Sequence, residues 1–290
     1  MSSRSLMSIA LPALRRASLA CLLASAVAGL GSAESVVLVA DRDNTLIEDE
    51  LPLSLGLAYD IFTGRVGANG GGTRRRGLLR FDVADAVPPG ATVTSAVLRL
   101  YMSQGNGTQN TAIKRLLADW GEGDSFAFGG AGAPAEPGDA TWVHTFFPGQ
   151  SWATPGGDFV AVASATRLVG GPGFYTWGSS AAMVADVQGW LDAPASNFGW
   201  LVQGNEAAQQ TAKKFASRQS PNASLRPTLT VEFTPPPVCL PADLDCDGAV
   251  DGADLGLLLA GWGAPGPADL DGSGTVDGGD LGLLLAAWTR

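Results

Sequence analysis

The sequence predicts a mainly β protein: an antiparallel, jelly-roll-like β-sandwich followed by a small helical module built on two acidic loops. Three observations predict it. Short runs of β-branched and aromatic residues recur through the first 233 positions with turn signals between them. Glycine and proline are abundant, 39 and 18 of 290 residues, which favours strands and turns over long helices. From Ala242 onward, one Asp-rich unit with a leucine-rich segment behind it is written twice.

Taken in order, residues 1–33 read as an export signal. Arg4, Arg15 and Arg16 make a basic start, 17–30 is apolar, and Gly31-Ser-Ala33 offers small residues before a cut near Glu34. Leu-Ala-Cys21 leaves a lipid-anchored reading open, although the apolar run continues past it. No other stretch approaches the roughly 18 apolar residues that span a bilayer. The expected product is secreted or held at the cell surface.

In 34–233, residues 35–39, 76–83, 92–101, 197–203 and 228–233 read as strands. Leu79, Phe81 and Val83 alternate with Arg80 and Asp82 at period two. Turns are marked by Asn69-Gly-Gly-Gly72, Pro88-Pro-Gly90, Gly105-Asn-Gly107 and Gly170-Gly-Pro-Gly173. Only 183–191 suggests a helix, with Met183, Val184, Val187 and Leu191 at helical spacing and Asp192 and Pro194 ending it. Thr234-Pro-Pro-Pro237, within a linker at 234–238, separates this body from a module at 239–290.

In each copy of the repeat, oxygen side chains fall at loop positions 1, 3, 5, 9 and 12 with glycine at 6. That spacing wraps a short loop around one hard cation. The ligands are Asp243, Asp245, Asp247, Asp251 and Asp254 in the first copy, and Asp269, Asp271, Ser273, Asp277 and Asp280 in the second. Carbonyls of Ala249 and Thr275 would join them at position 7. Without a cation the crowded carboxylates repel, so metal binding and folding are expected to be one event, with two Ca2+ ions. Val250 and Val276 are expected to pair in a short β-bridge. Leu255, Leu258, Leu259 and Trp262, and their equivalents Leu281, Leu284, Leu285 and Trp288, are expected on one helical face.

This half EF-hand, duplicated, resembles a type I dockerin, with Asp instead of Glu at position 12. The resemblance implies a cohesin-like or cell-surface protein partner. Gly252-Ala253 and Gly278-Gly279 stand where dockerins commonly carry the Ser/Thr that meets a cohesin. Of three cysteines, Cys21 falls in the signal, leaving Cys239 and Cys246 either as a disulfide tying the linker to the first loop or as two free thiols.

A second resemblance covers the body. Asp43-Asn-Thr-Leu46, Gly77-Leu-Leu-Arg-Phe-Asp82, Pro89-Gly-Ala-Thr-Val-Thr-Ser-Ala-Val-Leu-Arg-Leu100, Trp120-Gly-Glu-Gly123, Ala140-Thr-Trp142, Ala185-Asp-Val-Gln-Gly-Trp190, Asn197-Phe-Gly199, Phe215-Ala-Ser-Arg218 and Arg226-Pro-Thr-Leu-Thr-Val231 follow the order typical of DNRLRE domains. That family is similar to β-sandwich carbohydrate-binding modules, some associated with alginate and related acidic polysaccharides. It implies an extracellular polysaccharide as partner.

Charge narrows the choice further. Nine Asp face one Arg from Cys239 onward, and 34–238 carries nineteen acids against fourteen bases, which excludes the basic footprint of a nucleic-acid binder. Sugar binding needs aromatic faces, for which Trp152 and Trp177 lie in Gly/Pro-rich segments expected to be exposed; Trp142, Trp190 and Trp200 read as core. An acidic glycan would need the basic clusters Arg74, Arg75, Arg76 and Lys213, Lys214, Arg218, whose other reading is solvated strand ends. Arg218 has a third reading, as an inward structural arginine. No catalytic constellation stands out. The single histidine, His144, sits among aromatics in a structural setting, Gly-x-Ser-x-Gly is absent, and Asp119, Glu122 and Asp124 are the nearest carboxylate candidates. A polysaccharide-binding protein, a matrix polysaccharide hydrolase or lyase, and a structural surface protein remain as three readings.

Overall fold

A computed structural model describes residues 32–237 and 239–289. The signal expected over 1–33 lies outside them except for Ser32 and Ala33. Chain contacts divide the molecule into two compact units, one ending at Val238 and one running from Cys239. Among the described residues no helix is long and apolar enough to cross a membrane.

In chain order the body's strands are β1 (Glu34–Val39), β2 (Arg42–Ile47), β3 (Leu53–Ser54), β4 (Asp60–Arg65), β5 (Arg74–Arg80), β6 (Thr92–Gly105), β7 (Gln109–Arg115), β8 (Ala133–Pro134), β9 (His144–Phe146), β10 (Gln150–Ser151), β11 (Ala165–Val169) and β12 (Gly173–Gly178). The helix α1 (Ala181–Asp192) follows, then β13 (Trp200–Gln203), β14 (Lys213–Ala216) and β15 (Thr228–Thr234). The fold is mainly β. Eleven strands make one curled antiparallel sheet in the order β1-β15-β6-β14-β4-β5-β13-β7-β11, with β12 beside β6 and β2 beside β5.

The curl turns on β4. Its residues 60–63 pair with β14, whereas Gly64 and Arg65 pair with β5, so one strand joins the two halves of the sheet. Gly64 makes the turn at φ 94°, and a β-carbon there would stand 2.8 Å from the Thr211 carbonyl oxygen. Alanine fits neither the angle nor the space.

Strand alternation then sorts side chains to two faces. On the inner face Leu79, Leu98, Leu100, Trp200, Val202 and Val231 form the main core with Trp177 and with Met183, Val187 and Trp190 of α1. Ser180 caps that helix, its hydroxyl accepting from the Met183 amide. The opposite face of β2, β5 and β13 is covered too. Leu46, Leu78 and Leu201 pack beneath the long connections that carry Trp120, Trp142 and Trp152.

Burial in the two cores, Trp177 in the first and Trp152 in the second, corrects the sequence reading of two tryptophans. Trp152 is 5% exposed, its indole N–H donating to the Thr141 carbonyl at 3.0 Å, because the Gly/Pro-rich connection that carries it folds back over a sheet face. Trp177 is 1% exposed. It lies on the unforeseen strand β12, opposite Leu98, with its ring 6.1 Å from Phe215 and its N–H on the Thr111 carbonyl at 2.9 Å. Neither ring is open to a sugar.

The C-terminal unit contains α2 (Gly252–Ala260) and α3 (Gly278–Ala286). Its core is built of residue pairs one repeat apart: Ala242 with Ala268, Val250 with Val276, Leu258 with Leu284. The expected Val250–Val276 bridge is not what forms. Each valine carbonyl instead accepts from the segment leaving the other copy's helix, Val250 from the Thr289 amide at 3.0 Å and Val276 from the Gly263 amide at 2.8 Å. The copies clasp each other reciprocally. The expected helical face is also only half buried: Leu258 and Leu284 are enclosed, whereas Leu259, Trp262, Leu285 and Trp288 are exposed. A nine-residue helix packed on one partner helix encloses little more than a single leucine.

Candidate functional sites in the two units

In the repeat, the carboxylates of Asp243, Asp245 and Asp247 converge, with ligand oxygens within 4.8 Å of one another, and those of Asp269, Asp271 and Asp280 do the same. These clusters can hold a metal ion. Asp269 Oδ1 is buried with no partner among the described residues, which a bound cation would satisfy. The donors are all oxygen, the set preferred by a hard divalent ion.

The position-12 residues do a second job. Asp254 is fully buried, and its oxygens accept from the amides of Leu244 (2.6 Å), Asp245 (3.2 Å) and Asp251 (2.8 Å). Asp280 repeats this with Leu270, Asp271 and Asp277 at 2.6, 3.1 and 2.7 Å. Asp251 and Asp277 in turn cap α2 and α3, completing a capping box at each helix. Burial pushes the Asp254 carboxyl up, and its backbone hydrogen bonds outweigh that and hold it below its ordinary value. A disulfide joins Cys239 to Cys246 at loop position 4, where Cys246 has φ 62° and leaves the ligand positions to aspartate. Ser273 at position 5 donates to the Thr275 carbonyl at 3.2 Å.

In the body, the arginine run does not form one basic patch, because neighbours on a strand face opposite ways. Arg74 and Arg76 both stack on Trp142, at 4.9 and 4.8 Å, and each is claimed by a carboxylate. Arg74 pairs with Glu48, while Arg76 grips Glu206 through two hydrogen bonds of 2.7 and 2.9 Å. Arg218 is likewise committed, as a bidentate partner of Glu122, in keeping with the inward structural reading. His144 is held by the Thr141 hydroxyl at 3.0 Å and an edge contact with Phe147 at 5.1 Å.

No protein-family model matches the chain, and no curated protein is found to be similar to it.

Arg75, Lys213 and Lys214 come together instead, lining a cavity of about 550 Å³ between β4, β5, β6 and β14. Lys214 pairs with Asp60 at 2.8 Å. Arg75 and Lys213 are buried, and among the described residues neither has a carboxylate within ion-pair distance. Arg75 donates Nε to the Gly130 carbonyl at 2.8 Å and Nη1 to Thr73 Oγ1 and the Arg74 carbonyl; Lys213 donates to the carbonyls of Asn106, Gly107 and Gly170. Burial holds both cations below their ordinary pKa, with Asp49 and Glu48 countering it at Arg75.

Sequence reasoning missed a further feature of the body's surface. Tyr59, Phe126 and Phe128 are 43, 41 and 81% exposed, and their rings meet edge to face at 5.4, 6.2 and 5.0 Å. A signal was present: Phe126 and Phe128 stand two apart in a Gly-rich stretch too short of apolar partners to bury them.

A third cluster centres on a buried carboxylate. Asp43 is fully buried, its Oδ1 without a partner among the described residues, its Oδ2 accepting from the Arg218 amide. Burial drives its pKa well above 3.8; the Arg218 amide opposes this, the nearby Glu122 carboxylate adds to it, and the Arg218 charge opposes it. A carboxyl raised on folding adds stability that is complete below the unfolded value of 3.8 and is lost as pH rises through the folded value. Asp43→Asn carries no charge at any pH. Its melting temperature relative to the parent is therefore expected to be higher at pH 7 than at pH 4; a difference that does not grow with pH contradicts this assignment.

Proposed function

We propose that the chain is an exported, non-catalytic polysaccharide-binding protein, a jelly-roll-like sandwich of the DNRLRE kind tethered through a calcium-dependent, dockerin-like module. The observation that carries the binding half is the exposed cluster of Tyr59, Phe126 and Phe128, since a soluble surface seldom keeps three aromatic rings in contact and open to water without a ligand for them. Such rings offer the C–H faces of sugars an apolar platform. The module half rests on the two convergent acidic loops and the partnerless Asp269 oxygen. Calcium would be held by Asp243, Asp245, Asp247, Asp251 and Asp254, and by Asp269, Asp271, Ser273, Asp277 and Asp280, neutralising carboxylates that otherwise repel. The exposed leucines and tryptophans of α2 and α3 offer an apolar surface to a cohesin-like or cell-surface protein.

The test incubates the full chain, in calcium, with alginate, pectin and cellulose. Retention on at least one polymer without release of reducing ends or unsaturated products is the expected result. Product release would move the protein to the hydrolases or lyases, and neither retention nor products would leave a structural role.

A further inference from the structure

We propose that β1 is a pairing edge for a second copy of this chain, joining two of the body's sheets edge to edge through one antiparallel strand pair. The strand opens the sheet, bonded on one side to β15 and, among the described residues, to nothing on the other. The inference stands on the body's backbone and is independent of the polysaccharide reading.

The phase of the hydrogen bonds says which residues are free. Glu34 lies opposite Phe233 and Val39 opposite Thr228, and one residue further on the Ala40 amide donates to the Pro227 carbonyl at 3.2 Å. Bonded pairs alternate along an antiparallel ladder, so Val36 and Leu38 turn their amides and carbonyls to β15, while those of Ser35, Val37 and Val39 point away from it. The free edge ends there, because the Asp41 amide donates to the Arg80 carbonyl at 3.0 Å as the chain leaves for β2. Side chains follow the same alternation. Val36 and Leu38 pack on the main core, whereas Val37 and Val39 stand in the open, 61 and 51% exposed. Proteins blunt such an edge with lysine, proline or a bulge. Residues 35–39 read Ser-Val-Val-Leu-Val, carry no charge and pair with β15 without a register shift.

The strand selects its own copy as occupant. About a two-fold axis through Val37, β1 meets a second β1 antiparallel, with Val37 opposite Val37 and Ser35 opposite Val39, and every free amide finds a free carbonyl. A slip of two residues either way forfeits a bonded pair. Charge favours the same arrangement: it sets each Glu34 opposite Ala40 of the other copy, at opposite ends of the pair, whereas parallel pairing would stack glutamate on glutamate. The exposed valines then meet across the axis and leave water. So short an edge falls below the roughly 1,200 Å² of a stable interface, and the dimer exchanges with monomer.

The test is sedimentation velocity of the full chain as exported, in calcium, from about 1 to 300 μM, a range suited to an interface of this size. Val37→Pro removes an amide that β15 does not use, and Val37→Lys puts a charge on the open edge; each should weaken association at least about tenfold with little change in melting temperature. Two cysteine variants read the register. Bonded antiparallel partners stand about 5.5 Å apart at Cα, within reach of a disulfide, whereas two Val39 positions would lie roughly 14 Å apart along the strands. Association that rises with concentration, falls in both edge variants and gives a cross-linked dimer with Val37→Cys but not with Val39→Cys is the expected result. A monomer throughout the range overturns the proposal and leaves the edge to a strand of another protein. A dimer indifferent to both edge variants places the contact elsewhere and overturns it as well, and cross-linking of Val39→Cys as readily as Val37→Cys overturns the two-fold register.

Discussion

Replacing Asp254 with alanine is expected to unfold the C-terminal unit and to abolish any recovery of its helical signal by calcium. The carboxylate is fully enclosed and accepts from three backbone amides, those of Leu244, Asp245 and Asp251. Alanine strands all three. At about 1–3 kcal/mol for each buried donor left unpaired, the loss exceeds what so small a core supplies. Asp254→Asn separates the two jobs of this residue, since it keeps an acceptor oxygen and much of the cap while removing the charge offered to a cation. The measurement is far-ultraviolet circular dichroism of the full chain through cycles of chelator and calcium. The parent should lose helical signal in chelator and regain it, Asp254→Asn should regain it only at higher calcium, and Asp254→Ala should not regain it. A helical signal in the parent that ignores chelator contradicts the calcium assignment, and normal recovery by Asp254→Ala contradicts the structural role.

The second large effect is expected at Arg76. Its guanidinium lies between the rings of Trp142 and Phe159, holds Glu206 with two hydrogen bonds and donates to the Gly156 carbonyl at 2.7 Å. Both side chains are largely buried, at 9 and 15% exposure. Arg76→Met keeps the bulk of the stem but leaves Glu206 as an enclosed, unpaired charge, a loss of about 3–5 kcal/mol. For a unit of this size that lowers the melting temperature by roughly 10 °C. The double variant Arg76→Met, Glu206→Met should recover much of the loss, because it removes the orphan as well as its partner. Calorimetry of the three proteins decides. A stable Arg76→Met protein that has lost polysaccharide retention would return Arg76 to the ligand site where the sequence reading put it.

Those two residues mark how far the sequence could be read. Asp254 announced itself because an acidic loop is local: its oxygen side chains lie within twelve positions, and their spacing is legible in the sequence. The alternation of Leu79, Phe81 and Val83 was open to reading for the same reason. Arg76 was not, since the partner that consumes its charge, Glu206, stands 130 positions away. Nor does adjacency in a strand reveal that Arg75 faces a cavity while Arg74 and Arg76 share Trp142. The tryptophans failed differently. A Gly/Pro-rich setting speaks for local turns, and it says nothing of whether a connection later folds over a sheet face, as the segment bearing Trp152 does. The exposed rings of Tyr59, Phe126 and Phe128 belong to segments nearly seventy positions apart and become a platform only once the chain has brought them together.

The disulfide between Cys239 and Cys246 has a consequence for how the duplicated module assembles. The ring it closes spans seven positions and includes Asp243 and Asp245, and its partner copy has no counterpart because Gly272 stands where Cys246 does. Closing such a ring removes about 2–3 kcal/mol of freedom from the unfolded chain. Two loops that are near twins in ligand chemistry are thus unequal in readiness. The first is half-drawn by the covalent ring, and the second has only its own hydrogen bonds and the clasp its sibling offers. A duplication that looks symmetric on paper acquires a direction, with folding seeded at the end nearer the linker and passed outward toward the terminus.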